Sequence, residues 1–276
     1  MSDFVQQKTT ICDFTTSDSW VILSPIEQSI KRKIEAVGTP LKDWDINIYR
    51  GVLTGCNEAF IIDTAKRDEI LRNCQSDEER VKTAELIRPI LRGRDIKRYG
   101  YVDNGLYLIN THNGIRGRIP RIKIEDYPAV KAHLDQYWDR ISTRADKGDT
   151  PYNLRNCAYL EDFNKPKIIY PETTQGAYFA FDNKGFYIDK TCFMLISDEA
   201  EYLQNILSCR LFEFAYKRIF SSIELGEHGY QYNKHALIKL PILKPNKTIN
   251  LTNEQIYKLY KLSKEEIAFI ESQQIQ

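Results

Sequence analysis

A chain of 276 residues with 42% hydrophobic and 12% aromatic side chains carries enough apolar material for a packed core, which excludes an intrinsically disordered chain. Its six cysteines are widely separated and form no Cys-x-x-Cys pair, so neither a zinc knuckle nor a dense disulfide framework is expected, and the thiols fit a reducing cytoplasm. The start, MSDFVQQKTT, has no basic and apolar leader, and no run approaches the ~20 apolar residues of a membrane helix, so neither secretion nor a membrane span is expected.

In chain order, Ile26, Ile30, Ile34 and Val37 form the stripe of an amphipathic helix after Ser24, with Pro25 in its first turn and Gly38 as its stop. Residues Trp44 to Asp63 read as strand, bend and strand: Ile46 and Ile48, then Gly51 to Gly55, then Ala59 to Ile62. A surface helix and loop over Thr64 to Ala84 leads into a basic stretch. Between Leu86 and Lys123 nine Lys or Arg face only Asp95 and Asp103, an excess of seven hidden inside a net charge of +1. Within it, Tyr107 to Ile109 reads as a buried strand and Thr111 to Gly117 as a flexible polar loop. Helical spacing returns from Tyr127 to Ile141. From Lys167 a meander of short strands follows: Ile168 to Tyr170, Tyr178 to Phe181, a hairpin turn Asp182 to Gly185, Phe186 to Ile188, and Cys192 to Ile196. One helix is predicted over Glu201 to Arg218 and another from Thr252, capped by Gln255, through Ile270. There is no internal repeat.

Catalytic signatures are missing. The sequence contains no Asn-Pro-Pro-Tyr loop for a flipped base, no Gly-rich turn for a methyl donor, no Walker loop, no Gly-x-Ser-x-Gly and no His-Glu-x-x-His. A metal-dependent nuclease is one rival, with Glu172 and Asp182 as acids and Lys184 two residues on, although Asp-Asn-Lys-Gly is also what a tight turn prefers. Cys209, His228 and His235 match no structural zinc spacing. No cofactor, metal or catalytic residue is therefore predicted.

What remains fits a polyanion. Arg88, Arg92, Arg94, Lys97 and Arg98 crowd one run, where guanidinium forks suit phosphates or a guanine edge. Asp95 either aims Arg94 at the nucleic acid or ties it into a structural ion pair. Arg116, Arg118, Arg121 and Lys123 form a second basic group among Asn113, Gly114 and Gly117, a composition that allows close approach to a backbone. Thr173, Thr174 and Gln175 lie between two predicted strands. They offer hydroxyl and amide groups for base edges, or simply make a polar turn. A protein scaffold binding an acidic partner is a further alternative.

Several segments together resemble the TaqI-like C-terminal specificity domain of adenine-N6 DNA methyltransferases. They are Trp20, Ile34-Glu35 and Leu41; Tyr49 to Asp63, similar to an Arg-Gly-x-x-Thr-Gly-x-Asn-x-Ala-Phe core; Ile90 to Tyr99; Lys165 to Tyr170; Cys192 to Leu195; and Gly229 to Pro241. The resemblance implies an α+β fold with a twisted, mostly antiparallel sheet region, flanking helices and a C-terminal helix, like the target-recognition domains of type I specificity subunits. It implies an N-terminal extension over 1–19, a recognition domain over 20–245 and a C-terminal helix over 246–276. It also implies a cytoplasmic, non-catalytic reader of double-stranded DNA that works with an adenine-N6 methyltransferase domain or subunit. The motif glycines and Leu240-Pro241 read as structural.

Overall fold

A computed structural model describes residues 22–221, 224–225, 229–245 and 250–273; Trp20, His228 and the 1–19 extension lie outside the described residues. The described chain divides into two compact units. One is formed by Ile48–Pro171 and Ala180–Ile196. The other is formed by the residues up to Asn47, the segment Glu172–Phe179, and Ser197 onward.

The first unit is built on two four-stranded sheets. One has the order Ala180–Asp182, Lys167–Pro171, Cys192–Ile196, Asn47–Arg50. Its Lys167–Pro171 strand is buried at every position and runs antiparallel to both neighbours, with Ile169 opposite Ala180 on one side and Met194 on the other. The second sheet has the order Tyr187–Ile188, Ile87–Leu91, Leu106–Ile109, Ile61–Asp63. It is antiparallel except where Tyr187 pairs in parallel with Ile90. Asp182 to Gly185 is thus a turn between two sheets rather than the tip of a hairpin, with Gly185 at φ 76°. The mixed, mostly antiparallel α+β architecture is the expected one.

Two local readings change in this unit. Ala59 and Phe60 belong to a single helical turn, Asn57–Phe60, and only Ile61–Asp63 is strand. The turn forms because Gly55 takes φ 66° and the Thr54 hydroxyl donates to the Asn57 side chain, which folds the chain back and buries both apolar residues. The helix expected over Tyr127 to Ile141 is two, Pro128–Asp135 and Trp138–Thr143, broken where Tyr137 leaves helical geometry.

In the second unit the helix Pro25–Val37 begins as its sequence dictates. Ser24 and Glu27 form a reciprocal cap, and Ile30 and Ile34 are fully buried. Gly38 ends it, and a Cβ there would stand 2.1 Å from the carbonyl oxygen of Pro241, because Thr39–Pro40 pairs with Pro241–Ile242. A three-stranded sheet orders Glu224–Leu225, Gly229–Gln231 and Thr173–Thr174. Behind it Tyr216, Tyr230 and Tyr232 cluster with ring centroids 4.2 to 6.1 Å apart, and the Tyr216 hydroxyl donates to the Gln231 carbonyl at 2.6 Å. Asn233 caps the turn Lys234–Leu237.

The helix predicted over Glu201 to Arg218 is interrupted. Ala200–Leu207 and Arg210–Ala215 are separated at Ser208 and Cys209, where the Asn253 side chain accepts from the Arg210 amide at 3.0 Å and caps the new start. The C-terminal helical segment is present but broken into Asn253–Leu259 and Lys264–Ser272. Lys261 takes φ 54°, and Ser263 with Glu266 makes a second reciprocal cap. Both pieces dock on their own unit: Tyr260 on Phe212, Phe269 on Phe214, and Glu266 on Ser29 and Lys33 at 2.7 and 2.6 Å.

Candidate nucleic-acid interface

The basic run divides on folding into residues that hold the structure and residues that face solvent. After the strand Ile87–Leu91, a tight turn Gly93–Asp95 precedes a two-stranded hairpin, Ile96–Lys97 with Gly100–Tyr101. Asp95 is 3% exposed and is gripped by Arg92, whose guanidinium donates to both carboxylate oxygens at 3.1 and 3.3 Å and whose amide donates at 2.8 Å. Asn104 adds a further bond at 2.9 Å. Burial opposes the Asp95 charge, but the Arg92 and Asn104 donors outweigh it and hold the carboxyl below its usual range. The ion pair left open by the sequence is therefore made by Arg92, not Arg94. Arg94 is exposed and makes no side-chain hydrogen bond or ion pair among the described residues.

The hairpin stands on a second clasp. Lys167 and Asp182 are both fully buried and pair at 2.6 Å; the Lys167 ammonium also donates to the Phe163 carbonyl. Burial drives the Lys167 pKa down while Asp182 supports its charge. The Tyr101 hydroxyl donates to Asp182 at 3.0 Å, and the Tyr101 ring meets Phe186 at 5.1 Å. Asp182 also accepts from the amides of Lys184 and Phe186. Four donors on its two oxygens, with the carboxylate fully buried, tie Asp182 into the fold. Above the clasp, Lys97 is exposed and caps the Arg94 carbonyl at 2.9 Å, and Arg98 is half-buried at the hairpin tip. Tyr99 and Val102, which a count of charges passes over, are 53% and 49% exposed.

The second basic group sits on a loop more firmly closed than its composition suggested. Ile115 and Ile119 exchange both backbone hydrogen bonds, at 2.8 and 2.9 Å. Gly114 takes φ 72° where a Cβ would lie 2.3 Å from the Ile119 carbonyl oxygen. Arg116, Gly117 and Arg118 are thereby projected from a tight turn, and Arg116, Arg118 and Arg121 line one cavity of about 730 Å³. Arg118 pairs with Glu161, and Arg121 with Asp149 at 3.5 Å; Arg116 and Lys123 are exposed with no acidic partner among the described residues. The loop is anchored from below by Asn153, which donates to the Ile122 carbonyl at 2.9 Å. Arg144, unremarked in the sequence, lies buried over the Phe60 ring and donates to the carbonyls of Thr54, Pro151 and Asn153; burial pushes its pKa down to about 10.

Thr173 to Gln175 lie in the connection between the paired strands Lys167–Pro171 and Ala180–Asp182, as expected, but that connection is not a simple turn. The chain leaves the first unit at Glu172, and Thr173–Thr174 becomes an edge strand of the other unit, with Thr174 opposite Tyr230. The Thr174 side chain is buried and its hydroxyl both donates to and accepts from Gly176. Thr173 and Gln175 are exposed. Of the zinc candidates, Cys209 is a buried thiol outside any disulfide. Among the described residues no group of three or more His, Cys, Asp or Glu is placed to hold a metal, and no helix is long and apolar enough to cross a membrane.

Comparison with known proteins bears on this geometry. Among solved structures the chain is similar to the type IIL restriction-modification enzyme MmeI, whose structure was determined in complex with DNA, with a TM-score of 0.52 at 12% identity over 76% of this chain and 26% of that one. It is also similar to the type IIG restriction endonuclease BpuSI, with a TM-score of 0.54 at 14% identity over 87% of this chain and 28% of that one. At such identities the likeness is one of fold, and this chain spans little more than a quarter of either enzyme. The TaqI-like C-terminal specificity domain matches residues 88–242, more than half of the sequence and inclusive of both basic groups. The chain belongs to the TaqI-like C-terminal specificity domain family.

Proposed function

We propose that this chain binds duplex DNA and reads a target sequence for a restriction-modification enzyme, with the chemistry supplied in the cytoplasm by an adenine-N6 methyltransferase domain or subunit. The observation that carries this reading is the sorting of the basic segment. Arg92 is committed to a buried carboxylate and Arg118 and Arg121 to surface ones, while Arg94, Lys97, Arg116 and Lys123 are exposed without acidic partners. An ordinary solvated face would be expected to intersperse its cations with acids; an unneutralised set within a specificity domain suits phosphates. MmeI, with which the fold is shared, was solved with DNA bound. The engagement of Asp182 by four donors supports a non-catalytic role over the nuclease alternative.

Recognition is assigned to residues 20–245, with 246–276 as the C-terminal helical segment. Arg94, Lys97, Arg98, Arg116, Arg118 and Arg121 are proposed as positioning contacts, the last two by exchanging a surface carboxylate for a phosphate. Thr173 and Gln175 are proposed as base readers. Arg92 and Thr174 drop out, since their polar atoms are engaged inside the fold. The test is a titration of labelled duplexes against salt. Six phosphate contacts predict a slope of log affinity on log salt of about −5, whereas equal affinity at low and physiological salt refutes the electrostatic reading.

A further inference from the structure

The cavity lined by Arg116, Arg118 and Arg121 shares a wall with a second, more enclosed one in the same unit. Asn156, Cys157 and Ala158 line both, and the inner cavity has a volume of about 440 Å³. A cavity of about 150 Å³ admits one six-membered ring, so the inner space admits a nucleobase with its sugar. Its walls are fixed by the fold. The amides of Gly51 and Val52 donate to the carbonyls of Cys192 and Ile188 at 2.9 and 2.8 Å, and a Cβ on Gly51 would stand 2.0 Å from the Asp189 carbonyl oxygen. The Leu154 amide donates to the Thr111 carbonyl at 2.9 Å. Tyr159 is held twice: its ring stacks on Tyr49 with centroids 4.2 Å apart, and its hydroxyl donates to the Arg50 carbonyl at 3.0 Å.

Within this frame three lining residues keep unused hydrogen-bonding capacity. The Gly114 amide donates to Nδ1 of His112 at 3.1 Å, so the ring proton resides on Nε2, and burial lowers the His112 pKa and keeps the ring neutral. That Nε2–H has no acceptor among the described residues. Asn110 is 7% exposed; its side-chain nitrogen donates to the Tyr187 hydroxyl at 3.2 Å, and its side-chain oxygen accepts from no group among the described residues. The Asn156 side-chain oxygen accepts from Asn113, which leaves its NH₂ group unused. Buried polar groups are costly without a partner, and two donors and an acceptor beside the Tyr159 and Phe163 rings match the edge and face of a base. In the adjoining cavity Arg116 lacks an acidic partner among the described residues, and Arg118 and Arg121 stand beside it. We propose that the two cavities together bind one nucleotide, with the base against His112, Asn110 and Asn156 and the phosphate among Arg116, Arg118 and Arg121. Its source is a nucleotide turned out of the bound duplex or a free mononucleotide; only the first of these rests on the DNA-binding reading.

The test uses the full chain and Ala158→Trp, which sets a ring at an exposed position of the shared wall and should melt as wild type. One arm titrates dAMP, dGMP, dCMP and TMP by NMR, with the free nucleosides and inorganic phosphate as the separate halves of the ligand. The other takes duplexes selected on the wild type and mismatches one pair at a time by changing a single strand, because an unpaired base leaves the stack at lower cost. A monophosphate that binds at least about tenfold tighter than either half, shifts the His112 ring resonance (assigned with His112→Gln) and is lost in Ala158→Trp identifies a free nucleotide. A mismatch at one position that tightens binding at least about tenfold, with the gain lost in Ala158→Trp, identifies a nucleotide of the DNA. Either effect persisting in folded Ala158→Trp places the nucleotide elsewhere and overturns the inference. If Ala158→Trp melts below wild type, the wild-type His112 resonance decides: no shift with any monophosphate or mismatched duplex overturns the inference. Salt-dependent duplex binding with neither effect overturns it while leaving the DNA reading intact. Mononucleotide binding by a chain that retains no duplex at low salt refutes the DNA reading and keeps the site.

Discussion

Replacing Arg92 by alanine separates the residue that holds the basic run in shape from those that contact DNA. The substitution removes two charge-assisted hydrogen bonds from a carboxylate that is 3% exposed, while the Arg92 amide and Asn104 remain as donors. An exposed pair is worth at most about 1 kcal/mol and a broken, fully buried one about 3 to 5. With Arg92 itself 25% exposed, the loss falls between these, at about 2 kcal/mol. That corresponds to a drop in melting temperature of about 4 to 8 °C for a unit of this size. The pH dependence adds a second readout. Because the Asp95 carboxyl is held below its usual range, its contribution is present above about pH 4 and lost as pH falls through the folded-state pKa. Removal of Arg92 should flatten that acid limb. Arg94→Ala should leave both the melting temperature and the acid limb unchanged and weaken DNA binding. The reverse pattern, with Arg94→Ala costing stability and Arg92→Ala melting as wild type, would refute the assignment of the clasp.

Lys97→Ala is expected to weaken binding about equally for target and random duplexes and to reduce the salt slope by about 1, because a phosphate contact carries no sequence information; a selective loss on the target duplex would make Lys97 a reader. Gln175→Ala should lower discrimination by about 1 to 3 kcal/mol with random-sequence affinity nearly intact, measured by competition between duplexes, and unchanged specificity would remove Gln175 from the reading set. Asp182→Asn strands the fully buried Lys167 and should cost about 3 to 5 kcal/mol in denaturant unfolding, with part of the loss restored by Lys167→Met in the same chain. Nicking of supercoiled plasmid in magnesium by the wild type and not by Asp182→Asn of equal folded fraction would restore the nuclease reading.

Several parts of the fold were legible because their determinants are local. The cap of the helix Pro25–Val37 is written three residues apart in Ser24 and Glu27, and its buried face in Ile30 and Ile34. The strand Lys167–Pro171 announces itself by a compact β-branched run. The cap made by Ser263 with Glu266 is equally local, but it lies inside a continuous apolar stripe that reads as one helix. The interruption at Cys209 is not local in this sense, since the new start at Arg210 is capped by Asn253, 43 residues away; at Gly55 the bend is legible from composition, but the helical turn Asn57–Phe60 that follows its left-handed backbone is not.

By itself the sequence determined the family, the α+β class, the absence of the signature catalytic loops and the concentration of positive charge between Leu86 and Lys123. Only the tertiary structure decided which of those charges are available. Adjacency in sequence favoured Arg94 as the partner of Asp95, but a 3₁₀ turn brings residues three apart onto one side, and that places Arg92 on the carboxylate. Glu161 neutralises Arg118 across 43 residues and Asp149 pairs with Arg121, contacts no local charge count contains. Thr173 and Thr174 look like part of a turn from their neighbours yet fold as an edge strand, with Thr174 opposite Tyr230, because strand pairing is set by partners distant in sequence; Gln175 bends away after it. The nine cations are a property of the sequence; their division into fold and interface exists only once the chain has folded.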